Sequence, residues 1–141
     1  MDKRFSDFAK IVFFGIPIPV DPTGSVCGSA TLADGSQVVI IGGGFNSGEY
    51  QSGVVMFDVG TNQWTEGPEL PYPLVSANSY LTESSFLILG GYTFSEMSGY
   101  VGYFTILELD PINIDWKIRE ERLSRPNYDF WVVDVDENVF C

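Results

Sequence analysis

The sequence predicts an all-β chain built from repeated four-stranded antiparallel units. Short apolar, β-branched runs are separated by Gly, Pro and Asp-Gly punctuation. No window carries the 3.6-residue period of an amphipathic helix. Two features also recur at near-constant spacing: a glycine pair, and an Asp followed six residues later by Trp. Short strands at regular intervals with such turns suit a sandwich, a barrel or a propeller.

The elements follow in chain order. In residues 1–24, Lys3 and Arg4 precede the apolar run Ile11–Val20, which Pro17 and Pro19 interrupt. Asp2 and Asp7 dilute the positive start, so the run is a poor signal peptide. The segment is instead a candidate outer strand of a preceding unit, with Ile16 where a Trp would stand. The first repeat covers 25–72. Its innermost strand is expected at 25–32 and its second at 37–41, entered through Asp34-Gly35, a pair that tolerates the positive φ of a tight hairpin turn. Val54–Val59 is the third strand, and a short outermost one surrounds Trp64. The second repeat, 73–124, places strands at 75–82, 85–89, 103–109 and around Trp116. Residues 117–125 have helix-forming composition, but the run is short and Pro126 closes it. A third repeat begins at 125, with a strand at 128–135 and a stub at 138–141.

The repeats can be aligned by their own landmarks. Gly42-Gly43 and Gly90-Gly91 are 48 residues apart, while Phe57-Asp58…Trp64 and Leu109-Asp110…Trp116 are 52 apart. Four extra residues therefore fall between Gly91 and Asp110, where a loop absorbs them. Continuing the spacing places a third glycine pair just past Cys141. The expectation is a fragment of a longer repeat protein, or a ring assembled from several chains if this chain is complete.

With these landmarks the sequence resembles the kelch-repeat family. That family joins a hydrophobic run, a Gly-Gly pair, a tyrosine or similar residue often followed by Asp, and a Trp at near-fixed distance. The resemblance covers about residues 25–141. Phe57 and Leu109 take the tyrosine's place, and the arginine that opens the innermost strand is matched by Arg125 but is Pro73 one copy earlier. The resemblance implies four-stranded β-propeller blades, here an incomplete ring of about two and a half. The signature residues would be Gly42, Gly43, Phe57, Asp58, Trp64, Gly90, Gly91, Leu109, Asp110 and Trp116. The tryptophans are expected to be deeply buried between blades. The resemblance also implies partner binding on one rim, through loops 44–53 and 92–102 and the interblade loops 67–74 and 120–127. Many family members recruit substrates to a ubiquitin ligase or bind actin.

Composition narrows the chemistry. The chain has 19 acids, 7 bases and no histidine, for a formal charge of -12. From Ile11 to Trp116 there are eleven acids and no base. Nucleic acid needs Lys and Arg to displace its counterions, so it is disfavoured as a partner, and an anionic membrane is disfavoured for the same reason. Without histidine the commonest general base and the commonest zinc or copper ligand are missing. Cys27 and Cys141 lie in apolar runs and are expected to be free buried thiols. With no sequon and no disulfide pattern, an intracellular setting is favoured.

Three constellations imitate active sites. The stretch 38–48, with Gly42 and Gly44, imitates a dinucleotide-binding turn, but poor helix formers follow it. Asp58…Trp64 is one residue too long for a sialidase Asp box, and Met56 stands where Ser or Thr belongs. An oxidase-type copper site lacks its histidines. No catalytic, cofactor or metal residue is assigned. The expected function is a non-catalytic protein-interaction module of adaptor or scaffold type, with a neutral or basic protein partner. The alternative is a fragment of a propeller enzyme, epimerase or oxidase-like, whose catalytic residues lie outside the chain. Candidate partner-binding residues are Phe45, Asn46, Glu49, Tyr50, Glu66, Glu69, Tyr92, Phe94 and Glu96, with Met97 beside them.

Overall fold

A computed structural model describes residues 18–82 and 85–126 in full, and the strand backbones at 133–135 and 138–140. The expectations placed on Ile16, Cys141 and most of the third repeat lie outside the described residues.

All regular structure among the described residues is β. The strands are β1 (Val26–Thr31), β2 (Gln37–Gly42), β3 (Phe45–Asn46), β4 (Glu49–Tyr50), β5 (Val54–Asp58), β6 (Gln63–Glu66), β7 (Asn78–Leu81), β8 (Phe86–Leu89), β9 (Tyr92–Ser95), β10 (Gly99–Gly102), β11 (Thr105–Asp110), β12 (Asp115–Arg122), β13 (Val133–Val135) and β14 (Asn138–Phe140). Two antiparallel four-stranded sheets result, β1-β2-β5-β6 and β7-β8-β11-β12. Each is a blade, and the described strands do not close a ring. β13 and β14 pair with each other. The helix-prone composition of 117–125 is overridden: Asp115–Arg122 is a strand, because its partner β11 supplies a ladder that a short isolated helix lacks.

The two blades share one core. Strand alternation turns Val26 and Ala30 of β1, Val38 and Ile40 of β2, and Val54 and Met56 of β5 toward the second blade. Phe86, Ile88, Leu107, Leu109 and Trp116 meet them from the other side. Gly28 lies under Phe86, where a Cβ would come within 2.3 Å of the ring. Ser79 Oγ donates to the Cys27 carbonyl at 2.6 Å, joining the two innermost strands. Cys27 itself is a free, exposed thiol, which corrects the expectation of burial: its side chain is on the opposite face of β1 from the core residues Val26 and Ala30.

The glycine register differs from the one the sequence suggests. The consecutive left-handed glycines are Gly43-Gly44 (φ 67° and 104°) and Gly90-Gly91 (φ 66° and 87°). Gly43 N donates to Gly53 O, and Gly90 N to Thr105 O; Gln51 N donates to Gly44 O, and Tyr103 N to Gly91 O. The structural offset is therefore 47 residues, and Gly42 is the last residue of β2. Three consecutive glycines allow either alignment from sequence; the backbone conformation selects one. The extra residues in the second copy then number five. All five fall in the ribbon Tyr92–Gly102, which is equivalent to Phe45–Tyr50.

The signature acids share one role. Asp58 Oδ1 accepts from Gly60 N and Thr61 N at 2.7 and 2.9 Å. Asp110 Oδ1 accepts from Ile112 N and Asn113 N at 2.9 and 3.2 Å. Each carboxylate satisfies the free N–H groups of the turn into the outermost strand. Each turn ends on a left-handed residue, Asn62 at φ 58° and Ile114 at φ 53°.

The tryptophans are not equivalent. Trp116 is 7% exposed and packs in the interblade core. Trp64 is only half-buried, against Phe57, Val39 and Val59 on the side of the first blade facing away from the second. The expectation of deep burial therefore holds for Trp116 alone, since no described blade covers Trp64.

Candidate partner-binding rim

Each blade sends a two-stranded ribbon past the end of its sheet, between the second and third strands. These segments, expected as loops, are paired β-structure. In the first blade, Ser47 (φ 53°) and Gly48 (φ 85°) form the two-residue turn of the β3–β4 hairpin. Two positive φ values in succession match the right-handed twist of the flanking strands. In the second blade, β9 and β10 are joined through Glu96, Met97 and Ser98, with Gly99 at φ 68°.

The ribbons lean on the connections between blades. Gly44 N donates to Leu74 O at 2.8 Å, and Val75 and Tyr92 exchange backbone hydrogen bonds at 2.9 and 3.0 Å. A Cβ on Gly43 would fall 2.3 Å from Leu74 O. Tyr72 and Tyr103 stack at 4.0 Å, and the Tyr72 hydroxyl bonds to Thr105 Oγ1. The bases of the ribbons are thus fixed while their side chains project.

Five rings from the two ribbons form one cluster. Phe45 and Tyr50 meet edge to face at 5.2 Å. Tyr50 crosses to the second ribbon, 6.2 Å from Tyr92 and 6.4 Å from Phe94, with the latter ring nearly parallel at 21°. Tyr100 stands at 69° to both Tyr92 (5.8 Å) and Phe94 (5.3 Å). Tyr100 is 73% exposed and Met97 97% exposed, with Phe45 and Phe94 also exposed. Partial desolvation, with Tyr100 and Tyr92 alongside and a hydrogen bond to Tyr100, raises the Tyr50 phenol above its ordinary pKa.

The other sequence candidates are distributed around this cluster. Asn46 and Glu49 are exposed on the first ribbon, and Glu96 is exposed in the turn of the second. Glu66 and Glu69 are exposed but separate from the rings; with Asn46 and Gln51 they line a cleft of about 260 Å³ beside the first ribbon. Tyr100 was not among the candidates. Its alternation with Gly99 and Val101 in a two-residue period is the signal that places it on the face of Phe94, its cross-strand partner. Among the described residues no group of three potential metal ligands occurs.

Comparison with known proteins agrees with this architecture. The family model described as "Kelch motif" matches residues 25–71, the whole first blade. The chain carries a kelch motif in its first blade. It is 30% identical over 89 residues to an F-box/kelch-repeat protein of Arabidopsis thaliana, an alignment covering 63% of the chain and 21% of that protein. It also superposes on the solved structure of YjhT, a kelch-type propeller, with a TM-score of 0.67 at 14% identity, covering 86% of the chain and 34% of YjhT. The chain thus spans about a fifth and a third of the lengths of these two proteins.

Proposed function

We propose that the kelch rim formed by the two ribbons docks a protein partner, and that the chain acts as a non-catalytic interaction module of adaptor or scaffold type. The observation that carries this reading is the five-ring cluster: two separate hairpins converge to hold aromatic side chains in solvent, where packing the blades does not require them. Aromatic residues beside polar ones are enriched at interfaces and supply most hot spots. Covering Tyr100 and Phe94 removes on the order of 200 Å² of apolar surface, worth about 5 kcal/mol before the costs of association. The chain's acidic balance favours a neutral or basic partner and speeds its approach at low salt.

The test compares proteins retained by the wild-type chain, by a Phe94→Ala/Tyr100→Ala variant and by an Ile112→Ala control in the turn at the opposite end of the blade. The reading expects specific retention to fall at least about tenfold for the double variant only. Equal retention by wild type and double variant contradicts it.

A further inference from the structure

We propose that the aromatic rim receives an arginine side chain presented by the partner, held against the ring faces and by the tyrosine hydroxyls. This rests on the rim being the docking surface and names the chemistry that it selects.

Three features of the rim converge on a guanidinium. The first is ring placement. Tyr100 is nearly perpendicular to Tyr92 and Phe94, and Phe94 is nearly parallel to Tyr50, so ring faces of two orientations border a single patch. The face of an aromatic ring carries negative potential and attracts a cation lying over it. The second is acceptor supply. Tyr92 lies 6.2 Å from Tyr50 and 5.8 Å from Tyr100, so the one cluster carries three phenol oxygens. A phenol oxygen accepts as well as donates.

The third is charge. The two ribbons, 45–50 and 92–102, contain Glu49 and Glu96 and no Lys or Arg. Lys117 pairs with Asp110 at 2.6 Å and Arg119 with Glu121 at 2.9 Å, while Arg122 lies opposite Thr105 at the base of the second ribbon. The patch is therefore electron-rich, flanked by acids, and not neutralised from within its own ribbons. Arginine fits it better than lysine. Its planar group stacks on a ring while donating in-plane to several acceptors, and it is more weakly hydrated than an ammonium.

The experiment uses the chain with a peptide probe, acetyl-Gly-Arg-Gly-Gly-Arg-Gly-Gly-Arg-Gly-amide, and two analogues with every Arg replaced by citrulline or by Lys. Citrulline keeps the shape and removes the charge. Binding is followed by calorimetry and by tyrosine ring resonances. The expected result is saturable binding of the arginine peptide, with the citrulline peptide about tenfold weaker or more and the lysine peptide several-fold weaker. Tyr100→Ala should weaken the arginine peptide by about tenfold, Tyr100→Phe by only a few-fold, since the face remains. Tyr100→Leu serves as a second ring-free variant if Tyr100→Ala does not fold. Equal binding of arginine and citrulline peptides overturns the proposal, as does equal binding of arginine and lysine peptides, or binding that survives loss of the Tyr100 ring. A partner captured at the rim without any arginine preference also overturns it while leaving the docking reading intact; loss of rim capture overturns both.

Discussion

Trp116 donates its indole N–H to the carbonyl of Pro68 at 2.9 Å, tying the outermost strand of the second blade to the chain leaving the first. Its counterpart Trp64 has a buried indole nitrogen with no hydrogen-bond partner among the described residues. The same residue type at the same repeat position therefore has two energetic roles. Trp116→Ala should cost about 3–5 kcal/mol, and Trp116→Phe about 1–3, because Pro68 O loses its donor as well as packing. Trp64→Ala should cost about half as much as Trp116→Ala, and Trp64→Phe less than about 1 kcal/mol, since it removes an unsatisfied polar atom. Urea unfolding of the four variants checks the order.

The glycine register makes a second prediction. Gly43→Ala combines a left-handed backbone with a contact of 2.3 Å to Leu74 O, a backbone atom that cannot swing aside. It should cost about 2–4 kcal/mol. Gly42 is in extended strand, and its added Cβ would meet the Val54 side chain at 3.1 Å, with no backbone atom nearer than Gly53 O at 3.9 Å. Gly42→Ala should cost about 1 kcal/mol or less. If the two midpoints shift equally, the offset of 47 residues is wrong.

Ile114 is a β-branched residue at φ 53°, in a turn where the first blade uses Asn62 at φ 58°. Branching at Cβ makes that conformation costly, whereas asparagine tolerates it. Ile114→Asn should therefore stabilise the protein by about 1 kcal/mol, read as a rise in melting temperature.

Asp110 predicts the acid limb of stability. Its pKa is held well below the ordinary carboxylate value, first by Lys117 and then by the turn N–H groups and Asn113. A carboxylate whose folded pKa is depressed contributes stability that is complete above its unfolded pKa, about 3.9, and is lost as pH falls toward the folded value. Asp110→Asn should lower the urea midpoint at pH 7, and the gap from wild type should close progressively below about pH 5. A gap that stays constant down to pH 2 would show that the ion pair contributes nothing.

The sequence and the structure agree where a residue type has a single physical use. The apolar runs at 37–41 and 54–59, and Asp58 and Asp110 six residues ahead of a Trp, each correspond to one position in a blade. Ambiguity entered where composition permits two registers: Gly42-Gly43-Gly44 offers two glycine pairs, and the left-handed backbone at Gly43-Gly44, with Gly42 paired to Val54 in the sheet, decides between them. Tyr50 and Phe94 were legible as rim residues, but their meeting was not, because it depends on two ribbons 44 residues apart leaning together. The difference between Trp64 and Trp116 was equally hidden, since burial depends on what packs against a face and not on the residue itself.

Site-specific photo-crosslinking bears most directly on the role of the rim. Met97 is 97% exposed in the β9–β10 turn, and Ile112 is 76% exposed at the opposite end of the same blade. A benzophenone amino acid is introduced at each position in turn, in the wild-type background and with Phe94→Ala/Tyr100→Ala. The prediction is a discrete protein adduct from position 97, none from position 112, and loss of the adduct when both rings are removed. An adduct of equal yield from position 112, or one from position 97 that survives the loss of Phe94 and Tyr100, would contradict the assignment of the aromatic rim as the docking surface.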